Sequence, residues 1–183
     1  IFMVEVNKYT CNMKKLYFMG NCQTLTYAWY LKRLLPDLDV KWLQSERFLT
    51  AGWPSDPIWS IVERVFNFEE VDSILREGCF LISNHDNKNK SHLEAKYPNT
   101  TIKTITSLYK NIDGMKTREL DWDIDIKLST IFEDIKANML TVNHPDTYTF
   151  LLIIQQICNF LDVSFFDVYD YNKYLKKQEL KLL

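Results

Sequence analysis

Several features that would assign this chain to a specialised class are missing from it. Its 183 residues include only four cysteines, and no two of them form a Cys-x-x-Cys pair. The three histidines are also scattered, so no Cys/His spacing matches a structural zinc site. We therefore expect free thiols and no bound metal, and we exclude a disulfide scaffold.

Positive charge is not in excess. Lys and Arg total 22 against 24 Asp and Glu, which gives a formal net charge of −2. Proteins that bind nucleic acid or anionic lipid usually carry a basic excess or a basic stripe. We therefore expect no nucleic-acid partner. The sequence does not specify the oligomeric state.

Long apolar runs are also missing. The longest candidate, residues 150–154, is followed by two glutamines, whereas a membrane-spanning helix needs about 20 apolar residues. The first 15 residues are interrupted by Glu, Asn and Lys, unlike the apolar centre of a signal peptide. We expect no membrane span and a cytoplasmic location.

The chain does contain ample material for a core. Hydrophobic residues make up 46% of it and aromatic residues 14%. Short apolar runs alternate with longer amphipathic segments, which is typical of β/α units on a parallel sheet. We expect one α/β domain over residues 1–183, a three-layer α/β/α sandwich with a mostly parallel sheet. Outside its core we expect an N-terminal extension (1–14), a lid loop (107–126) and a C-terminal helical segment (169–183).

Apolar spacing, together with glycine and proline positions, predicts the individual elements. We expect strands at residues 16–19, 40–43, 79–82, 101–105 and 139–142. We expect helices at residues 24–35, 58–66, 69–76, 91–97, 127–138 and 147–161. Gly78 is the expected C-cap of the third of these helices.

Three polar clusters follow the ends of expected strands. They are Gly20-Asn21-Cys22-Gln23, Ser83-Asn84-His85-Asp86 and Asn143-His144-Pro145-Asp146. In open parallel sheets, ligands bind outside the carboxyl ends of the strands. The coincidence of all three clusters with segment ends predicts an active site at that edge. Because the chain has only four glycines, Gly20 directly after a strand is informative.

Cys22 is the candidate nucleophile. It lies at the turn from the first strand into the first helix, where unpaired N–H groups and a partial positive charge favour a thiolate. A thiolate with a histidine nearby as proton acceptor is competent for acyl transfer. The alternative is that Cys22 is a small buried residue that packs the turn.

Two further polar residues are candidates for catalysis. His144 precedes Pro145, which biases it to an extended conformation, so its ring is a candidate general base or else a hydrogen-bonded structural group. Asn84 is a candidate donor to an oxyanion, and the neighbouring His85 is a candidate substrate contact or a competing base. The alternative is that residues 83–86 only cap the next helix.

Three stretches of the chain match a known pattern together. They are Lys15-Leu-Tyr-Phe-Met-Gly-Asn-Cys-Gln23, Lys96-Tyr-Pro-Asn-Thr-Thr-Ile102 and Met139-Leu-Thr-Val-Asn-His-Pro145. From about residue 15 to residue 163 the chain resembles the WcbI family, acetyltransferases of capsular polysaccharide biosynthesis. The resemblance implies an SGNH-hydrolase-like (flavodoxin-like) fold that binds coenzyme A or acetyl-CoA and moves an acyl group to a sugar hydroxyl.

The resemblance also implies roles for individual residues. Cys22 takes the place of the SGNH nucleophile, His144 that of the base, and Asn84 is the nearest candidate for the oxyanion donor. The residues expected to contact substrate or cofactor are Gly20, Asn21, Gln23, His85, Asp86 and Asn143. The N-terminus of the first helix is a candidate site for a phosphate of coenzyme A.

The expected function is therefore an acyl-CoA-dependent O-acyltransferase acting on a carbohydrate. One alternative is an esterase or deacetylase that uses the same residues with water as acceptor. Another is a non-catalytic ligand-binding domain of the same fold, because Thr141 stands where SGNH enzymes carry an Asp three residues before the catalytic histidine.

Overall fold

The computed structural model describes residues 14–46, 60–84, 90–108, 112–131 and 146–163. In chain order the elements are β1 (Lys15–Met19), α1 (Cys22–Leu34), β2 (Asp39–Leu43), β3 (Glu63–Val65), α2 (Phe68–Glu77), β4 (Phe80–Ser83), α3 (Lys90–Lys96), β5 (Thr101–Thr104), α4 (Ile112–Asp121) and α5 (Thr147–Leu161). These elements confirm the expected α/β class.

The five strands form one sheet in the order β3-β2-β1-β4-β5, and all pairs are parallel. Met19, the last residue of β1, pairs with Leu43 of β2 and with Ser83 of β4. Leu43 pairs with Val65 and Ser83 with Thr104, so all five strands end in register. The carboxyl ends therefore form a single edge, with the end of β1 at its centre.

Helices cover both faces of this sheet, as expected for three layers. Residues of β1 alternate between the faces, with Leu16 and Phe18 in one apolar cluster and Tyr17 and Met19 in the other. The first cluster includes buried residues of α1 and α5, and the second includes buried residues of α2. The two-sided burial accounts for the strongly apolar character of β1.

One expected helix is wrong. Residues 63–65, which fall inside the helix expected at 58–66, form the edge strand β3. Val65 is buried there, and Lys41 of β2 pairs with Glu63 at 2.7 Å. The apolar spacing of this short stretch fits either element, and pairing with β2 decides for a strand.

Strand β3 also sets the topology. Without it, the order β2-β1-β4-β5 corresponds to the start of a flavodoxin-like sheet. With it, the order is 3-2-1-4-5, the other common arrangement of doubly wound sheets. In both descriptions the chain reverses its direction of strand addition between β1 and β4.

Part of the segment expected to be a lid loop is a packed helix. Helix α4 lies within residues 107–126, and both Met115 and Glu119 on it are buried. After α4, Ile126 pairs with Ile105 in a parallel bridge that extends the sheet beyond β5. The prediction missed this helix because its mixture of charged residues shows little apolar periodicity.

A buried carboxylate joins α4 to the chain on either side of it. Glu119 Oε1 accepts hydrogen bonds from Thr106 Oγ1 at 2.5 Å, from Leu128 N at 2.7 Å and from Ser129 N at 3.0 Å. Its Oε2 accepts a further bond from Ser129 Oγ. Glu119 therefore supplies the acceptor for four donors in a region that water does not reach.

Helix α5 occupies the residues expected for it. Asp146 is its N-cap and accepts the N–H of Thr149 at 2.8 Å. Within the described ranges no helix has the length and apolar character needed to cross a membrane. The strand expected at 139–142, the C-terminal segment 169–183 and residues 1–13 of the N-terminal extension lie outside the described residues, as does the helix expected at 127–138 beyond residue 131.

Candidate functional site

The turn after β1 and the residue after β4 meet at the centre of the carboxyl edge. Asn21 N donates to Asn84 Oδ1 at 3.2 Å, and Asn84 Nδ2 donates to Asn21 Oδ1 at 2.6 Å. Parallel pairing of β1 with β4 brings these residues together although 63 positions separate them. The predicted proximity of the first two polar clusters is confirmed for Asn21 and Asn84.

Gly20 makes this contact sterically possible. Its φ is +142°, in a region that residues with a side chain rarely adopt. A Cβ atom placed on Gly20 would lie 1.9 Å from Asn84 Oδ1. The space that a side chain would need at position 20 is therefore occupied by the Asn84 carboxamide.

Asn21 is the N-cap of α1. Its Oδ1 accepts the N–H of Gln23 at 3.0 Å, and its carbonyl oxygen accepts the N–H of Thr24 at 3.1 Å. Two of the first N–H groups of the helix are therefore already bonded within the turn. Those two donors are not available to an anion, and a phosphate of coenzyme A at the N-terminus of α1 stays a prediction.

Gln23 contacts the protein interior. It is fully buried, its Oε1 accepts Leu108 N at 2.9 Å, and its Nε2 donates to Leu108 O at 3.0 Å. Ser107 Oγ in turn donates to the carbonyl oxygen of Asn84 at 2.8 Å. The side chain of Gln23 therefore holds the segment after β5 against the start of α1.

The contacts of Leu108 with Gln23 and of Ser107 with Asn84 were not predicted from the sequence. The available signal was that Ser107 follows the end of an expected strand, as the three polar clusters do. The burial of the Tyr27 side chain was also not predicted from the sequence. Tyr27 is buried on α1, and among the described residues its hydroxyl has no hydrogen-bond partner.

Cys22 is the first residue of α1, and its side chain is half-buried. Burial raises the pKa of the Cys22 thiol, and the backbone N–H groups of Cys22 and Gln23, which lower it, do not offset burial. The N–H groups at the helix start favour the thiolate, as expected, but burial of the side chain outweighs them and the net direction of the pKa shift is upward. A raised pKa lowers the thiolate fraction, so a reaction at the Cys22 sulfur relies on a base to take its proton.

The position of Cys22 separates it from the other described cysteines. Cys79 precedes β4 and therefore lies toward the amino end of the sheet, while Cys158 is buried in α5. Burial raises the pKa of both thiols to about 12. Of the three, Cys22 alone lies at the carboxyl edge, so the other two serve as controls.

The remaining predicted site residues are not part of the described geometry. His85, Asp86, Asn143 and His144 lie outside the described residues. In the described part of the chain, no three His, Cys, Asp or Glu side chains form a group that could hold a metal ion. The described site therefore consists of Gly20, Asn21, Cys22 and Asn84. The side chain of Gln23 connects the start of α1 to Leu108 in the protein interior.

The raised pKa of Cys22 predicts how its alkylation depends on pH. Iodoacetamide reacts with the thiolate, so the rate follows the thiolate fraction. A raised pKa means less thiolate at any given pH, and we expect the Cys22 rate to keep rising above the pH at which a cysteine peptide levels off. Peptide mass spectrometry of timed reactions, with the cysteine peptide in the same tube, measures both. A plateau at lower pH than that of the peptide would contradict the pKa direction.

The turn, the half-buried thiol and the Asn84 carboxamide lie at the point where the order of strand addition reverses, a common place for ligand sites in such sheets.

A scan against protein-family models, a search of curated proteins and a search of solved structures each found no match to this chain.

Proposed function

We propose that this protein is an acyl-CoA-dependent O-acyltransferase that moves an acyl group, most simply acetyl, to a carbohydrate hydroxyl. The observation that supports the proposal is the half-buried Cys22 thiol at the carboxyl end of the central strand. The turn that carries it is braced by two hydrogen bonds to Asn84. The resemblance of the segments around Cys22 and His144 to the WcbI family supplies the substrate class.

Because the pKa of Cys22 is raised, the first step requires a base that takes the thiol proton. The Cys22 Sγ attacks the carbonyl carbon of the acyl thioester while its proton passes to a base, for which His144 is our candidate. The bond between the acyl carbon and the sulfur of coenzyme A then breaks, and coenzyme A leaves as a thiol after taking up the proton. An acyl-Cys22 thioester remains.

The second step returns the enzyme to its starting state. The acceptor hydroxyl attacks the acyl carbon, its proton passes to the base, and the bond to Cys22 Sγ breaks to regenerate the thiol. Both steps develop negative charge on the acyl oxygen. Asn84 Nδ2 carries two hydrogens and its bond to Asn21 uses one of them, so the carboxamide is a suitable oxyanion donor.

Titration with acetyl-CoA tests this proposal. A ligand that binds only the folded state raises Tm. At a hundredfold excess over Kd it adds about 2.7 kcal/mol to the free energy of unfolding. We expect a saturable rise in Tm with coenzyme A and acetyl-CoA, and acetyl transfer to Cys22 detected by peptide mass spectrometry. Cys22→Ala should not be acetylated, but the ligands should still raise its Tm. Cys79→Ser should be acetylated at Cys22 and should show the same rise in Tm as the wild type.

Two outcomes would overturn the transferase. If neither ligand changes Tm, the coenzyme A site is wrong. If p-nitrophenyl acetate is hydrolysed with Cys22 dependence in that case, the protein is an esterase. If neither ligand binds and no ester is cleaved, a non-catalytic binding domain remains.

A further inference from the structure

A cavity lies on the other face of the sheet from α1. It has a volume of about 280 Å³ and lies between α2 and α3, where β1 and β2 end. Its apolar wall is formed by Met19, Val71, Leu75 and Leu93. Ligand cavities typically start at about 300 Å³. The volume of about 280 Å³ is just below that range, which limits the ligand to one small molecule. The position is the strand edge at which ligands bind in such sheets.

Asp72 and Lys96, two charged residues at this cavity, form an ion pair with each other. Asp72 Oδ1 accepts a hydrogen bond from Tyr97 Oη at 2.7 Å and lies 3.2 Å from Lys96 Nζ, while its Oδ2 accepts from Arg76 Nε at 2.7 Å. These contacts, Tyr97 and Arg76 first, hold the pKa of the Asp72 carboxyl well below its usual range. Lys96 is thus already paired, which disfavours a ligand with a phosphate.

Gln44 and Ser45 also line the cavity, but both are buried, and Gln44 Nε2 donates to Ser45 O. Glu46 and His92 are the exposed polar residues left for a ligand. Both are exposed and line the cavity, and neither makes a hydrogen bond or ion pair with another described residue. A carboxylate only accepts hydrogen bonds, and its two oxygens can accept from two neighbouring hydroxyls. The imidazole of His92 can donate or accept beside it.

The place of Glu46 in the chain adds a second, independent argument. Glu46 follows β2 by three residues in a sheet of order 3-2-1-4-5. In dinucleotide-binding sheets of that order, an acidic residue near this point accepts a hydroxyl of the ribose. The turn after β1, however, lacks a Gly-x-Gly-x-x-Gly motif, and the Asn84 carboxamide fills the space beside Gly20. The chain therefore lacks the glycine loop that would hold the pyrophosphate of a dinucleotide.

We propose that this cavity binds a small neutral ligand with a vicinal diol, a nucleoside or a single sugar residue, whose hydroxyls bond to Glu46 and whose apolar face packs on Val71 and Leu75. The site does not depend on acyl transfer at Cys22. The two sources of the diol, nucleoside and sugar, differ only in what fills the apolar part of the cavity.

Ligand-observed NMR titrations of the full chain test the proposal. The probes are adenosine, 2′,3′-dideoxyadenosine and methyl α-D-mannopyranoside, which carries a cis diol. We expect adenosine or the mannoside to bind, and the one that binds identifies the source. If adenosine is that ligand, the dideoxy compound should bind about tenfold more weakly.

Variants locate the binding. Glu46→Gln should weaken the bound probe about tenfold, whereas Glu94→Gln, an exposed carboxylate of α3 outside the cavity, should bind like the wild type. Leu93→Trp should fill the cavity and abolish binding. The proposal is overturned if adenosine and the mannoside both fail to bind, if the dideoxy compound binds as well as adenosine, or if Glu46→Gln or Leu93→Trp leaves binding unchanged.

Discussion

Gly20→Ala is expected to lower the free energy of unfolding by about 3–5 kcal/mol. Two costs add at this position. Alanine must adopt a φ of +142°, and its Cβ would lie 1.9 Å from Asn84 Oδ1. The carboxamide can yield only by giving up its bonds to Asn21 at 3.2 and 2.6 Å. Chemical denaturation of wild type and variant measures the difference.

One further variant is a control for the glycine-to-alanine change, and a second separates the clash from the backbone strain. Gly114→Ala, in helix α4, should be neutral or stabilise by about 0.5–1 kcal/mol, because alanine is the better helix former. Adding Asn84→Ala to Gly20→Ala removes the clash but not the backbone strain, so part of the loss should return. A Gly20→Ala protein within 1 kcal/mol of wild type would show that the turn tolerates a side chain.

Glu119→Leu is expected to cost about 4–5 kcal/mol. The substitution removes the carboxylate that accepts from the hydroxyls of Thr106 and Ser129 and from the N–H groups of Leu128 and Ser129 in a buried region. Thr106 and Leu128 keep only longer bonds of 3.3 Å, to Ile126 O and Thr106 Oγ1 respectively. Urea unfolding followed by far-UV circular dichroism gives the value. An effect below 1 kcal/mol would mean that these donors find other partners.

Glutamine at the same position keeps one acceptor oxygen and replaces the other with an amide nitrogen. Glu119→Gln keeps one oxygen, which can still accept from Thr106, Leu128 and Ser129, so we expect a smaller cost of about 1–2 kcal/mol. Glu94→Gln on the exposed surface of α3 is the matched control and should change stability by less than about 0.5 kcal/mol. Equal losses for Glu119→Gln and Glu119→Leu would show that the oxygen kept by glutamine adds no measurable stability.

Elements with local signals were predictable from the sequence. Helix α5 has regular apolar spacing and an Asp146 cap, and its predicted limits are confirmed. Helix α2 ends where Gly78 was expected to end it. Strand β3 and helix α4 were missed because their stability depends on distant partners. Glu119 looks like a surface residue until Thr106 and Ser129 surround it.

The same distinction holds at the candidate site. The meeting of the β1 turn with Asn84 follows from parallel strand topology, which the alternating pattern predicts. The direction of the Cys22 pKa shift does not follow, because it depends on how far packing removes the sulfur from water. Likewise, nothing local to Gln23 indicates that its carboxamide bonds to Leu108.

The central position of β1 has a consequence for how the protein folds. Among the described strands β1 is synthesised first, but its second neighbour is β4, whose Phe80 pairs with Leu16. Until β4 has left the ribosome, one side of β1 carries unpaired backbone groups between two apolar faces. Contacts this distant in sequence close slowly. The strand that leads into the turn of the candidate nucleophile is therefore open to misassociation until β4 has been synthesised.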